Sequence, residues 1–259
     1  MTGARAGDWL RSYLPALVVF VAVITVWELS TAGPGRRVLP APSAIVGAAL
    51  ENQATLIRST RATFFEAIGG LGIGTLGGLA VAFAAARWSV ARDVALPIAI
   101  ASSTIPIIAM APILNNWFGV LNPLSKMMMA ALLVFFPVMI NVTRGLTEVK
   151  PASLELMRSY AATDVAVLRK VRIPNMLPFF FTALKVGTTL SFIGAVVGEY
   201  FGGTSEVLGQ FVLTSMSSGA FDRAWAGILI GASAAIMAYL VVSIIERVAI
   251  PWHSSLATE

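Results

Sequence analysis

Cysteine is absent from this chain, and histidine occurs once, at His253. Without thiols there is no disulfide, thiolate metal ligand or cysteine nucleophile. The histidine lies in the tail after Pro251, and no His, Asp and Glu set has zinc-like spacing, so neither a metal centre nor a Ser-His-Asp triad is expected. His253 reads as a solvated tail residue, and neither a catalytic residue nor a metal site is expected. Charge is scarce too: Asp, Glu, Lys and Arg make up 12% of the residues, against about 25% in an average soluble domain. No GxxxxGK[ST] loop occurs, so ATP hydrolysis by P-loop chemistry is excluded for this chain.

Apolar residues fill that space. They form 57% of the 259 residues, and the mean hydropathy is +0.82. This is the composition of an all-α polytopic membrane protein. At about 20 residues per crossing, six transmembrane helices are expected near 12–31, 62–86, 94–114, 124–144, 179–201 and 222–248. Arg5 and Arg11 before the first run give a signal-like start, but Trp27 and Glu28 stand where cleavage would want small residues, so an uncleaved first helix is expected. Residues 32–60 open with the turn formers GPGRRVLPAPS and continue as an amphipathic, interfacial helix. No linker or repeat divides the chain, which reads as a single domain over 1–259.

The basic residues give an orientation. With both termini on one side, that side carries twelve Lys and Arg and the other carries six, which favours cytoplasmic termini. The net charge of +5 is spread over short loops and forms no stripe for nucleic acid.

Gly72, Gly74 and Gly77 spell GxGxxG, but apolar helix flanks them on both sides and no strand precedes them. Gly70, Gly74 and Gly78, spaced by four, read instead as a helix-packing stripe. Ionisable groups in or near apolar runs are Glu28, Glu66, Lys185 and Glu199. Glu199 either lines a path or closes a helix at the interface, and Lys185 is expected to reach back to the surface. Candidate path-lining polar residues are Ser103, Asn115, Asn141, Thr188 and Glu199; the bland alternative for each is a hydrogen bond within or between helices. A self-contained ion-coupled transporter would need coupling carboxylates near the midplane, and none pair up in the sequence.

Between apolar segments lies a polar, basic island, ELMRSYAATDVAVLRKVRIPNMLP, over 155–178. Pro151 and Ser153 suit a first helical turn, and Leu154, Met157, Ala161 and Val165 recur at helical spacing. Arg169, Lys170 and Arg172 then precede Ile173 and Pro174, where the regular pattern is expected to end as the chain re-enters the membrane.

This order resembles the EAA loop of permease subunits of ABC importers: Glu-Ala-Ala, three residues, Gly, nine residues, Ile, one residue, Leu-Pro. The matching positions are Glu155, Leu156, Met157, Ala161, Val171, Ile173 and Pro174. Glu and Pro match outright, while Leu156 and Met157 depart from Ala-Ala. The wider run from LPAPSAI to EYFGG is similar to the nitrate, sulfonate and taurine branch, and ELMRSY and VRIPNMLPF to permeases for thiamine-precursor pyrimidines or riboflavin-like compounds.

The resemblance implies a type I importer permease with a cytoplasmic coupling helix in a loop at about 146–178. ATPase coupling would fall to Glu155, Met157, Arg158, Ala161, Val171, Ile173 and Pro174. Arg158, Arg169 and Arg172 would meet the ATPase or lipid headgroups. It implies a multi-pass protein of the bacterial inner membrane that works as a homodimer, with a pair of ATPase subunits and an extracytoplasmic solute-binding protein as partners. This chain would hold no cofactor, ATP and Mg2+ residing on the ATPase. The solute would be a pyrimidine or riboflavin-like compound, with taurine, alkanesulfonate or nitrate as the alternative.

Overall fold

The computed structural model describes residues 3–31, 38–88, 94, 97 and 106–252. Arg36, Arg37, Arg92, Ser102, Ser103, Thr104 and His253 lie outside the described residues, as do residues 95, 96 and 98–105 of the expected 94–114 crossing.

Among the described residues the chain is all helix and turn. The order is α1 (Gly3–Thr31), α2 (Pro42–Glu51), α3 (Gln53–Arg87), α4 (Ile107–Phe118), α5 (Pro123–Thr147), α6 (Pro151–Ser159), α7 (Asp164–Val167), α8 (Ile173–Phe201), α9 (Leu208–Ser217) and α10 (Phe221–Ala249), with a π-helical turn, Leu168–Arg172, joining α7 to α8. Five of these runs are long and apolar enough to cross a membrane: the Leu14–Thr31 part of α1, α3, α5, the continuous run 164–201, and α10; α4 is apolar but shorter. Tryptophans cluster at the two ends, with Trp27, Trp117 and Trp225 towards one and Trp88 and Trp252 towards the other, as interfacial belts do.

α5 is the central post. It lies along both α3 and α8, and these three helices hold the main core of Leu71, Ala82, Val134, Val138, Val142, Leu146, Met176 and Ala183. Contact between them is set by residues without side chains. A Cβ added at Gly70 would stand 2.4 Å from the Ala130 Cβ, at Gly74 2.5 Å from the Ala131 carbonyl oxygen, and at Gly78 2.9 Å from that of Phe135. α8 approaches α5 in the same way, through Gly194 against Ala130 and Gly198 against Lys126 and Met129, while Gly145 of α5 sits on the Met176 backbone. At Gly72 of the GxGxxG match an added Cβ would meet nothing within 4 Å, and no phosphate-binding turn exists in this uninterrupted helix.

Three expectations are corrected. The segment 32–60 is not one interfacial helix: α2 ends at Glu51, Asn52 breaks the pattern, and QATLI is the first turn and a half of α3. At 35 residues α3 is about 50 Å long, well beyond a hydrocarbon core of about 30 Å. Pro174 does not end the helical pattern. The π turn widens the backbone just ahead of it, and the helix runs on through Pro174 and Pro178. Helix α9 was not foreseen, since LGQFVLTSMS carries no capping residue of its own.

Lys185 Nζ meets a carboxylate oxygen of Glu246, in the last turn of α10, at 2.7 Å and ties α8 to α10. By contrast α1 makes little contact beyond α2, and Val19, Phe20 and Val26 stay exposed along it, as do Ile236, Met237 and Val241 along α10.

Glycine placement gives a paired test. Gly74→Val should push α3 off α5 and lower the thermal stability of the detergent-solubilised chain by about 3 kcal/mol or more, the upper range of overpacking. Gly72→Ala, which meets open space, should leave stability unchanged or raise it by up to about 1 kcal/mol. Equal behaviour of the two variants in thermal unfolding would contradict the packing described.

Candidate functional site

Two constructions stand at opposite ends of the α3–α5–α8 core. At one end is α6, whose nine residues include none that is buried. Leu156 is 56% and Tyr160 75% exposed, so the helix offers an apolar surface that nothing in the described chain covers. Between α6, the start of α8 and Trp252 lies an open cleft of about 520 Å3, reached by Lys150, Met157, Lys170, Val171 and Pro174.

The root of this element is rigid. The last turn of any helix leaves carbonyls without partners, and at the end of α5 two side chains from the α8 run supply them. Asn175 Nδ2 donates to the Gly145 carbonyl at 2.8 Å and to that of Glu148 at 3.3 Å, and Arg172 Nη1 donates to the Leu146 carbonyl at 3.5 Å. Sequence reasoning passed over Asn175; its place directly after Ile-Pro was the available signal.

α6 ends on a turn that settles the geometry of Ala161. Ala162 N–H donates to the Met157 carbonyl at 3.0 Å and Ala161 N–H to that of Arg158 at 2.9 Å, which is the Schellman pattern. That pattern needs a left-handed residue, and Ala161 takes it, with φ 46°, as the single non-glycine with positive φ among the described residues. Ala161 therefore terminates the helix rather than extending its face, and neither it nor Val165 lies on α6. Thr163 then opens the next helical run, its Oγ1 accepting from Ala166 N–H at 3.3 Å. Glu155, Met157 and Arg158 sit within α6, Val171 within the π turn, and Ile173 and Pro174 at the head of α8.

At the other end lies a buried charged cluster. Glu199 is 0% exposed, Lys126 1% and Glu66 4%. Glu199 Oε2 accepts from Gly209 N–H at 2.6 Å, and the Glu66 carboxyl and the Thr63 hydroxyl lie against the same carboxylate. Thr63 Oγ1 also accepts from Leu208 N–H at 3.0 Å. Lys126 Nζ donates to the Val120 and Asn122 carbonyls of the α4–α5 turn. The interfacial-charge reading of Glu199 is thus replaced by burial, and the carboxylate pair that the sequence did not reveal is Glu66 with Glu199.

The remaining candidates occupy ordinary helical roles. Asn115 Nδ2 donates to the Phe201 carbonyl at 3.2 Å, Asn141 Nδ2 to Pro137 at 2.8 Å, and Thr188 Oγ1 to Leu184 at 2.8 Å. Among the described residues no group of His, Cys, Asp and Glu is arranged to hold a metal.

Because alanine is strained in the left-handed region by about 1 kcal/mol, Ala161→Gly should slow amide exchange of Ala162 about fivefold. Unchanged or faster exchange would contradict the Schellman assignment.

Comparison with known proteins places these two ends in context. Residues 74–252 match the model of the family described as binding-protein-dependent transport system inner membrane component. A "probable ABC transporter permease protein" of Haemophilus influenzae is 32% identical, over 89% of this chain and 94% of its own length. The formylaminopyrimidine transport permease protein ThiX of Halalkalibacterium halodurans is 30% identical, over 94% and 98%. The riboflavin transport system permease protein RibX of Chloroflexus aurantiacus is 27% identical, over 96% and 92%. The chain belongs to the family of inner-membrane components of binding-protein-dependent transport systems, and is a permease component of an ABC importer.

Proposed function

We propose that this permease passes a small heteroaromatic solute of the pyrimidine or riboflavin type from an extracytoplasmic binding protein into the cytoplasm. The proposal follows the relatives named for formylaminopyrimidine and riboflavin transport. Taurine, aliphatic sulfonates and nitrate, named for other relatives, are the alternative.

The observation that carries the mechanism is α6: an exposed amphipathic helix with Leu156 uncovered, on a root held by Asn175 and Arg172, in a chain without a phosphate-binding loop. Docked in a cleft of a separate ATPase subunit, which supplies ATP and Mg2+, α6 would be pushed as that subunit closes. Asn175 and Arg172 would pass the displacement to α5 and α8 rather than let the loop flex. In this reading α6 and both termini are cytoplasmic, in a bacterial inner membrane. The other end, with α2 and α9, faces the binding protein, and a second copy of the permease completes the path beside a pair of ATPase subunits. Of the interior polar groups, Asn141 keeps partial exposure and is the one we place on the path.

Leu156→Glu tests the docking. Leu156 is exposed, so the variant should insert and fold as wild type, but it should lose the co-purifying ATPase and lower binding-protein-dependent uptake at least about tenfold, as expected for a central apolar contact. Wild-type uptake with the ATPase retained would remove α6 from the coupling path. Uptake by the isolated chain driven by an ion gradient would replace the reading with secondary transport.

A further inference from the structure

The amino end of α9 poses a problem that its own sequence does not solve. A helix start leaves its first N–H groups without partners, and a side chain at the N-cap normally takes one. Here the N-cap is Val207, which has no such group. This start is also buried, with Leu208 and Gly209 both inside, so water does not substitute.

The missing acceptors come from two other helices. Leu208 N–H donates to the hydroxyl of Thr63 on α3 and Gly209 N–H to the carboxylate of Glu199 on α8. Gln210 Nε2 returns from α9 to the Glu199 carbonyl at 2.6 Å. Gly209 is the residue that permits this approach, because a Cβ there would lie 2.6 Å from the Glu199 Cβ and 2.8 Å from Oε2. The site suits a carboxylate, since the positive end of a helix points at it. Glu66 of α3 lies against the same carboxylate, and Lys126 of α5 acts on it only electrostatically, its Nζ being bonded to the Val120 and Asn122 carbonyls.

We propose that Glu199 and Thr63 form a cap in trans that holds α9 on the ends of α3 and α8, so that α9 moves with the core during transport instead of as a separate flap. Glu199 is a positioning residue in this scheme and contacts no solute. The transport consequence rests on the importer reading above; the cap itself does not.

The test uses the complete transporter, with its ATPase, in lipid nanodiscs for amide exchange and in proteoliposomes for uptake. Amide exchange of Leu208 and Gly209 is measured in wild type and in Glu199→Ala, Glu199→Gln and Thr63→Val, beside uptake driven by the binding protein. Loss of its acceptor should speed exchange at Gly209 in Glu199→Ala at least about tenfold, with exchange in the middle of α5 unchanged. Glu199→Gln, whose amide oxygen still accepts from Gly209, should recover most of the protection and most of the uptake. Thr63→Val keeps the shape, should loosen Leu208, and decides the matter if Glu199→Ala does not fold.

Unchanged exchange, loosening of α5 together with α9, or glutamine behaving no better than alanine would overturn the cap. Loosened exchange with wild-type uptake would overturn its role in transport. Failure of the wild-type complex to take up solute would count against the importer reading alone, because exchange is read without transport.

Discussion

Everything in this molecule hangs on how closely the backbone of α5 approaches those of α3 and α8. In lipid, apolar side chains gain little by leaving one apolar surroundings for another, so association of helices depends on close packing and on polar links. Gly70, Gly74 and Gly78 of α3, and Gly194 and Gly198 of α8, remove the side chains that would hold these helices away from α5. The contacts then run from backbone to backbone, where no rotamer change relieves a displacement. Three helices packed this way behave as one body, and a push at one end has to appear at the other.

Polar links do the remaining work, and the costly ones are placed where a helix begins or where an outlying helix needs an anchor. Glu28 of α1 accepts from the Ser43 N–H at 3.0 Å and from its hydroxyl at 2.6 Å, at the start of α2. Lys185 anchors α10 through Glu246. Glu199, with Thr63, holds α9. A charge inside or beside a membrane helix is expensive and is commonly read as part of a solute path. In this chain each of these charges meets a structural demand of a neighbouring helix.

How much of this was legible in the sequence follows from the range of the interactions. Long apolar runs are local, and the helices containing 62–86, 124–144, 179–201 and 222–248 lie where composition put them, each extended at its ends. The glycine spacing is local too. The start of α3 was misassigned because ENQATLI is amphipathic, and pattern alone does not say whether such a turn lies in an interface or prolongs a spanning helix. α9 was invisible because its cap is supplied by residues 145 and 10 positions away. Ala161 was read at helical spacing with Met157, whereas it takes the left-handed turn that ends the helix, a property that single-sequence spacing does not carry. Asn175 matters only because Gly145 stands beside it, 30 residues earlier.

The central claim is that α3 and α8 stay fixed relative to each other while the transporter works. The absence of native cysteine makes that directly measurable, since Leu76→Cys and Val186→Cys place spin labels on exposed positions of the two helices and nowhere else. Dipolar spectroscopy of the assembled, ATP-hydrolysing complex would compare this distance in the nucleotide-free and ATP-trapped states. The account predicts a change within about 2 Å, the scale of small helix shifts. A change of about 5 Å or more, one helical turn, would mean that α3 and α8 slide past each other and that the core is not the rigid body described.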